Sequence, residues 1–203
     1  MKRIALLLFA ALTIVANVAA QTPQQVLDKA VAALKAGGNI QASYAITGSQ
    51  GRSSGTITMS GAKFRLLSND MKCWYNGSAM WTYSVATGEV NITTPTQQDL
   101  QMTNPMAAAE GFKRNFHMWK AKGQIPGNYA IKLMPKSKSE ISEVYLYISN
   151  GSYRLSSAHF VMSDGSRFTI KLTNYKTGVS AGASTFTFDK SQVPAGTPVV
   201  DLR

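Results

Sequence analysis

"NDMKCWYNGSAMWTYSVATGEV", residues 69–90, places two turn signals, Asn76-Gly77 and Thr87-Gly88, among short runs dense in aromatic residues. Asn-Gly between apolar alternations marks a tight hairpin, because the reversal needs central residues that tolerate positive φ. Each run therefore reads as a short strand folding back on its neighbour. Trp74, Tyr75, Trp81 and Tyr83 stand among small and polar residues. Rings this size must bury against something, either the protein's own core or a guest.

Working outward, the period-two pattern persists from about residue 40 to the C-terminus. Turn signals recur at Gly48 to Gly51, Gly61, Asn150-Gly151, Asp164-Gly165 and Gly178. Val144, Leu146 and Ile148 share one face, as do Phe168, Ile170 and Leu172, and Phe186 and Phe188 repeat the pattern. This predicts a meander of about nine to eleven antiparallel strands, and a sheet that long curls. Two segments depart from it. Thr22-Pro23-Gln24-Gln25 supplies a capping threonine, a first-turn proline and a capping-box glutamine. Val26, Leu27, Ala30, Val31 and Leu34 then form one aliphatic stripe, stopped by Gly37-Gly38. The second segment opens at Asn104-Pro105 and runs helically through "MAAAEGFKR" to about Arg114, in a region rich in Met102, Met106, Phe112, Phe116, Met118 and Trp119. The expectation is a mainly β (α+β) chain, one large curved antiparallel sheet with helices on its concave side.

The first residues, "MKRIALLLFAALTIVANVAAQTP", join a basic start (Lys2, Arg3) to an apolar run and a small-residue site at Val18-Ala19-Ala20. That is the form of a secretory leader cleaved after Ala20, too short and wrongly flanked for a membrane span. Residues 21–203 are then one domain, long enough for a sizeable core. No cysteine follows the cleavage site, so a soluble, untethered product is expected. Loss of Lys2 and Arg3 with the leader lowers the net charge from +11 to +9. The remaining cations (Lys63, Arg65, Lys72, Lys113, Arg114, Lys132, Lys171) are scattered singly between apolar neighbours, which reads as solvated strand faces rather than a nucleic-acid groove.

Chemistry-bearing groups are sparse. The two histidines, His117 and His159, sit in strand-like runs away from acidic clusters, and only ten carboxylates serve 203 residues. Asp70, Glu89, Asp164 and Asp189 fall in turns or exposed positions. No metal-ligand pair, nucleophile elbow or phosphate loop occurs, and "GSQGRSSG" at 48–55 lacks the strand-to-helix setting of a phosphate cradle. Cys73 is the single cysteine, so no internal disulfide forms, and it reads as a small packed residue. Of three Asn-x-Ser/Thr triplets (Asn76, Asn91, Asn150), two are Asn-Gly pairs and read as turns. A protein without catalytic residues, metal or cofactor is expected.

In this order of elements the chain resembles the LolA-like outer-membrane lipoprotein carrier proteins. "TPQQVLDKAVAALKAGGNIQASYAITG" is similar to the family's opening helix and first strand. "NGSAMWTYSVATGEV" is similar to its turn and Trp-x-Tyr, without the usual proline in the next turn. "YAIKLMPK" at 129–136 and "FTFDKSQVPAGTPVVDLR" at the end match its Pro-Lys strand end and its closing Phe-x-Phe, proline-glycine turn and Val-x-Asp. The resemblance implies an open, incomplete β-barrel with an apolar concave side covered by helices. It also implies a periplasmic chaperone, a monomer, that takes acylated lipoproteins from an inner-membrane exporter to an outer-membrane acceptor, touching membrane surfaces only transiently.

On that resemblance, Phe64 and Leu66 should face the cavity, with Lys63 and Arg65 on the solvent side. Extending the alternation adds Trp81 and Tyr83. Leu27, Val31, Leu34, Met102, Met106 and Phe112 should form the lid and the rest of the acyl site. Family members latch the lid through an arginine in an early strand, and the aligned residue here is Ser60. Two alternatives stand beside the carrier: a sensor or regulatory domain of the same superfamily that binds a lipid or peptide, and a carrier of another amphiphile such as a glycolipid.

Overall fold

The computed structural model describes residues 21–49, 51–122 and 125–203, so the leader lies outside the described residues. Helix α1 (Pro23–Ala36) starts on the expected box: Thr22 accepts from the Gln25 amide at 3.2 Å, and the Gln25 side chain accepts from the Thr22 amide at 2.9 Å. Val26, Leu27 and Val31 are buried on its stripe, which matches an aliphatic face laid on a sheet. Six strands follow: β1 (Asn39–Gly48), β2 (Gly51–Ser60), β3 (Lys63–Ser68), β4 (Met71–Tyr75), β5 (Met80–Ser84) and β6 (Glu89–Thr93). Helices α2 (Gln97–Thr103) and α3 (Pro105–Asn115) come next. The chain then returns to strands β7 (Phe116–Lys120), β8 (Asn128–Pro135), β9 (Ile141–Ser149), β10 (Leu155–Met162), β11 (Arg167–Thr177) and β12 (Val199–Asp201).

Three expectations are corrected here. The strands among the described residues number twelve, in one sheet ordered β12-β6-β5-β4-β3-β2-β1-β11-β10-β9-β8-β7. The mid-chain insertion holds two helices, not one. Thr96 and Asp99 form a capping box of their own, with the Thr96 amide donating to Asp99 Oδ2 at 2.8 Å, and this Thr-x-x-Asp signal announces α2. In place of the strand expected around Phe186 and Phe188, Ala183–Phe186 and Lys190–Gln192 are short 3-10 turns.

Connectivity explains how the concave face and part of the convex face are covered. Strands β6 and β7 are consecutive in sequence but lie near opposite edges of the sheet, so the segment carrying α2 and α3 must cross the open face. The chain between β11 and β12 must likewise cross from mid-sheet to the other edge, and it does so on the opposite face. There Phe188 and Val193 pack on Trp74, Tyr83 and Val90. The sheet does not close on itself, and its strand registers carry one continuous apolar face from β7 to β5.

Candidate functional site

Strand pairing decides which side chains meet on the concave wall. Ile40 and Ala42 on β1 pair with Met59 and Ile57 on β2, which pair in turn with Phe64 and Leu66 on β3. Across β1 on its other side, Tyr44 and Ile46 pair with Leu172 and Ile170 on β11. The wall continues through Ala158 and Phe160 on β10 to Leu146 and Val144 on β9, then Ile131 and Leu133 on β8. Phe160 and Phe168 stack on it with ring centroids 4.6 Å apart. One irregularity keeps this face continuous: the β1–β11 register slips opposite Asn174, whose φ is 51°, so that Tyr175 stays on the apolar side.

Between this wall and the helices lies a cavity of about 1250 Å³, above the range of roughly 300–1,000 Å³ usual for drug-sized ligands. Its roof is Leu27, Ala30, Val31 and Leu34 of α1 with Gln101, Ala108, Ala109 and Phe112 of α2 and α3; its floor includes Ile57, Met59, Leu66, Phe160, Phe168, Ile170 and Leu172. Polar residues gather at one mouth, where Ser53 near the start of β2, Ser68 at the end of β3, Asp70 in the β3–β4 turn, and Lys138 and Glu140 in the β8–β9 connection line it. The interior is thus a long apolar space with hydrogen-bonding groups at one end.

The roof is held lightly. Lys113 on α3 reaches Asp28 on α1 at 2.9 Å. The Lys113 ammonium holds the Asp28 carboxyl below its ordinary range, and the carboxylate in turn raises the lysine. The α2–α3 corner is pinned more firmly. Asn104 is buried, its side-chain oxygen accepts from the Met106 amide at 2.9 Å, and its Nδ2 donates to the Ala62 carbonyl at 2.7 Å. Phe112 meets Phe116 edge to face at 5.1 Å.

A family model described as outer membrane lipoprotein carrier protein LolA matches residues 12–166. The chain belongs to that family. Among curated proteins no sequence matches it. An uncharacterized conserved protein from Thermus thermophilus shares the fold, with a TM-score of 0.60 and 16% identity over 88% of this chain and 98% of that one. A LolA superfamily protein from Nitrosomonas europaea aligns at TM-score 0.46 and 15% identity, covering 84% and 99% of the two chains. The Pseudomonas aeruginosa MucA/MucB complex aligns at TM-score 0.46 and 11% identity over 81% of this chain and 60% of that one.

Within this LolA-family fold the expected site residues divide. Leu27, Val31, Leu34, Leu66 and Phe112 line the cavity. Phe64 is on the same face but fully buried beneath the lining, beside Met59 and with its ring 5.4 Å from that of Tyr75. Met106 packs against the same cluster without lining the cavity, and the Met102 side chain lies outside the described residues. Trp81 and Tyr83 are corrected. They pair with Trp74 and Lys72, which themselves face Arg65 and Leu67, so all six lie on the convex face. The alternation set by Phe64 and Leu66 passes instead through Cys73 and Tyr75 to Thr82 and Met80. A register in which Trp74 opposes Trp81 leaves no other assignment, because pairing residues share a face. The aromatics of residues 69–90 therefore serve mainly a second, convex core, where Trp74 meets Phe188 at 5.4 Å. Ser60 ends β2 one residue beyond Met59, on the parity that faces away from the cavity, opposite Asn39 and Lys63. The Asp28–Lys113 ion pair links α1 to α3. The sequence reading missed the cavity residues of β10 and β11, although the shared face of Phe168, Ile170 and Leu172 was visible in it.

Proposed function

We propose that this protein is a periplasmic carrier that shelters the acyl chains of lipoproteins between an inner-membrane exporter and an outer-membrane acceptor. The observation that carries this reading is the apolar cavity of about 1250 Å³ beneath a roof tied by a solvent-facing ion pair. Covering one CH₂ stabilises by about 0.8 kcal/mol, so a 16-carbon chain stands to lose roughly 12 kcal/mol if it crosses water bare. A carrier must match most of that gain yet still release the chain. A roof of aliphatic helix faces provides for this, since lid–wall burial lost on opening offsets part of the burial gained by cargo. Incubating the mature chain with membranes that display an exported, acylated lipoprotein tests the proposal. A soluble one-to-one complex, disrupted by filling the cavity through Leu172→Trp, is the expected result. Failure to solubilise lipoprotein, or solubilisation untouched by that substitution, overturns it.

A further inference from the structure

The turn joining β9 to β10 bears a strained residue that its sequence does not explain. Asn150-Gly151 supplies a glycine, yet Gly151 is not in the left-handed region; Tyr153 is, at φ 54°. A bulky side chain is strained there. The conformation is kept by the Tyr153 ring, which stacks on Tyr129 at 5.8 Å, and by its hydroxyl, which bonds Gln21. The consequence falls on the next residue. Arg154, exposed at the rim of the cavity, holds its guanidinium carbon 4.5 Å from the centre of the Tyr175 ring, and Tyr175 also lines the cavity.

Arg154 joins none of the ion pairs among the described residues. The two carboxylates that line the cavity, Asp70 and Glu140, belong to the mouth at the other end of the strands, since Glu140 precedes β9 and Arg154 precedes β10, which runs antiparallel to it. Among the described residues the half-buried Tyr175 hydroxyl is likewise without a side-chain hydrogen bond. A cation over an aromatic face keeps its N–H fork free, and that fork matches carboxylate and phosphate geometry.

Resting on the acyl-carrier reading, we propose that the cavity takes an anionic amphiphile, with its carboxylate or phosphate on Arg154 and Tyr175 and its acyl chain along the β10–β11 wall. The test titrates the mature protein with a fluorescent long-chain fatty acid and with the methyl ester of the same acid. The wild type should bind the acid about tenfold more tightly at low salt, and added salt should shrink that preference. In Arg154→Gln the acid-to-ester ratio should collapse to about one, and Arg154→Lys should retain part of it. Lysophosphatidic acid against monoacylglycerol as competitors tells phosphate from carboxylate, and a preference for either anion supports the site. Equal affinity for acid and ester in the wild type overturns the headgroup site alone, as does an unchanged ratio in Arg154→Gln. If neither acid nor ester binds, the acyl-carrier reading falls and the headgroup site falls with it.

Discussion

Leu66 and Tyr83 stand two strands apart on opposite faces of the sheet, so truncating each separates ligand capture from stability. Tyr83 is buried with Trp74 and Val90, beneath Lys72, whose ammonium lies 5.8 Å from its ring centre and donates to the Gln192 carbonyl at 2.7 Å. Tyr83→Ala should lower the unfolding free energy by about 3–5 kcal/mol, the range for losing a buried aromatic, with acyl-probe affinity unchanged. Leu66→Asn should weaken the probe about five- to tenfold by setting an amide in an apolar wall. Urea unfolding and probe titration on both variants decide it, and a loss of affinity in Tyr83→Ala would move the site to the convex face. Cys73 makes an independent check on the same strand as Trp74. Burial pushes its thiol up to about 11, and only the thiolate attacks disulfides and maleimides. The native protein should resist a thiol reagent at pH 8 and react fully once denatured. Rapid native labelling would mean that β4 opens locally.

At the level of elements, the helical roof combines one firm anchor with one weak tie. Exposed ion pairs contribute about 0.2–1 kcal/mol, so Lys113→Met should raise the open-lid population by no more than about fivefold, read as faster probe uptake with little change in midpoint. The acid dependence has a definite sign. The Asp28 carboxyl is held down in the fold, so the stabilisation from the pair is complete above the ordinary carboxylate value near pH 4. It disappears as pH falls through the lowered value. Probe uptake in the wild type should therefore accelerate below about pH 4, and Asp28→Asn should show that faster uptake already at neutral pH. Phe112→Asp tests the lid itself. It should increase apolar-dye binding while the midpoint falls modestly, because the ring is only half-buried against Phe116 and the β8–β9 wall. Outright unfolding would make Phe112 core rather than lid. Much of this element was readable in advance: the Thr22 box, the Asn104-Pro105 start and the aliphatic stripe are local signals. Helix α2 was equally local in Thr96-Gln97-Gln98-Asp99 but short and mixed in character, so periodicity did not reveal it. The pairing of Asp28 with Lys113 was not readable, since it depends on how α1 and α3 come together in space.

For the molecule as a whole, alternation within a strand could be read from sequence, but its phase could not be carried from strand to strand without the hairpin registers. Phe64 and Leu66, taken from the matched family strand, do lie on the concave parity of β3. Trp81 and Tyr83 do not lie on the concave side, because the turn at Asn76-Gly77 sets Trp74 opposite Trp81 and so fixes their side. The C-terminal crossing was hidden for a related reason. Phe186 and Phe188 alternate like a strand, yet Phe186 closes a 3-10 turn and is buried, while Phe188 caps the convex core. This crossing makes β3 to β6 a two-faced, core-like half of the sheet, whereas the β7 edge keeps Trp119 and Met134 exposed on its convex side. The asymmetry separates the work of the two faces, and Phe188→Ser tests it. Removing that ring should let water reach Trp74, which is 1% exposed in the fold. Tryptophan emission should shift to the red and acrylamide quenching should rise. The midpoint should fall by about 4–10 °C, given roughly 2–4 °C per kcal/mol in a domain of this size. Acyl-probe affinity should stay within about twofold, because the crossing and the cavity are separated by the full thickness of the sheet. If affinity collapses while the midpoint holds, the C-terminal crossing governs the cavity from behind. The convex core would then be part of the binding apparatus and not its scaffold.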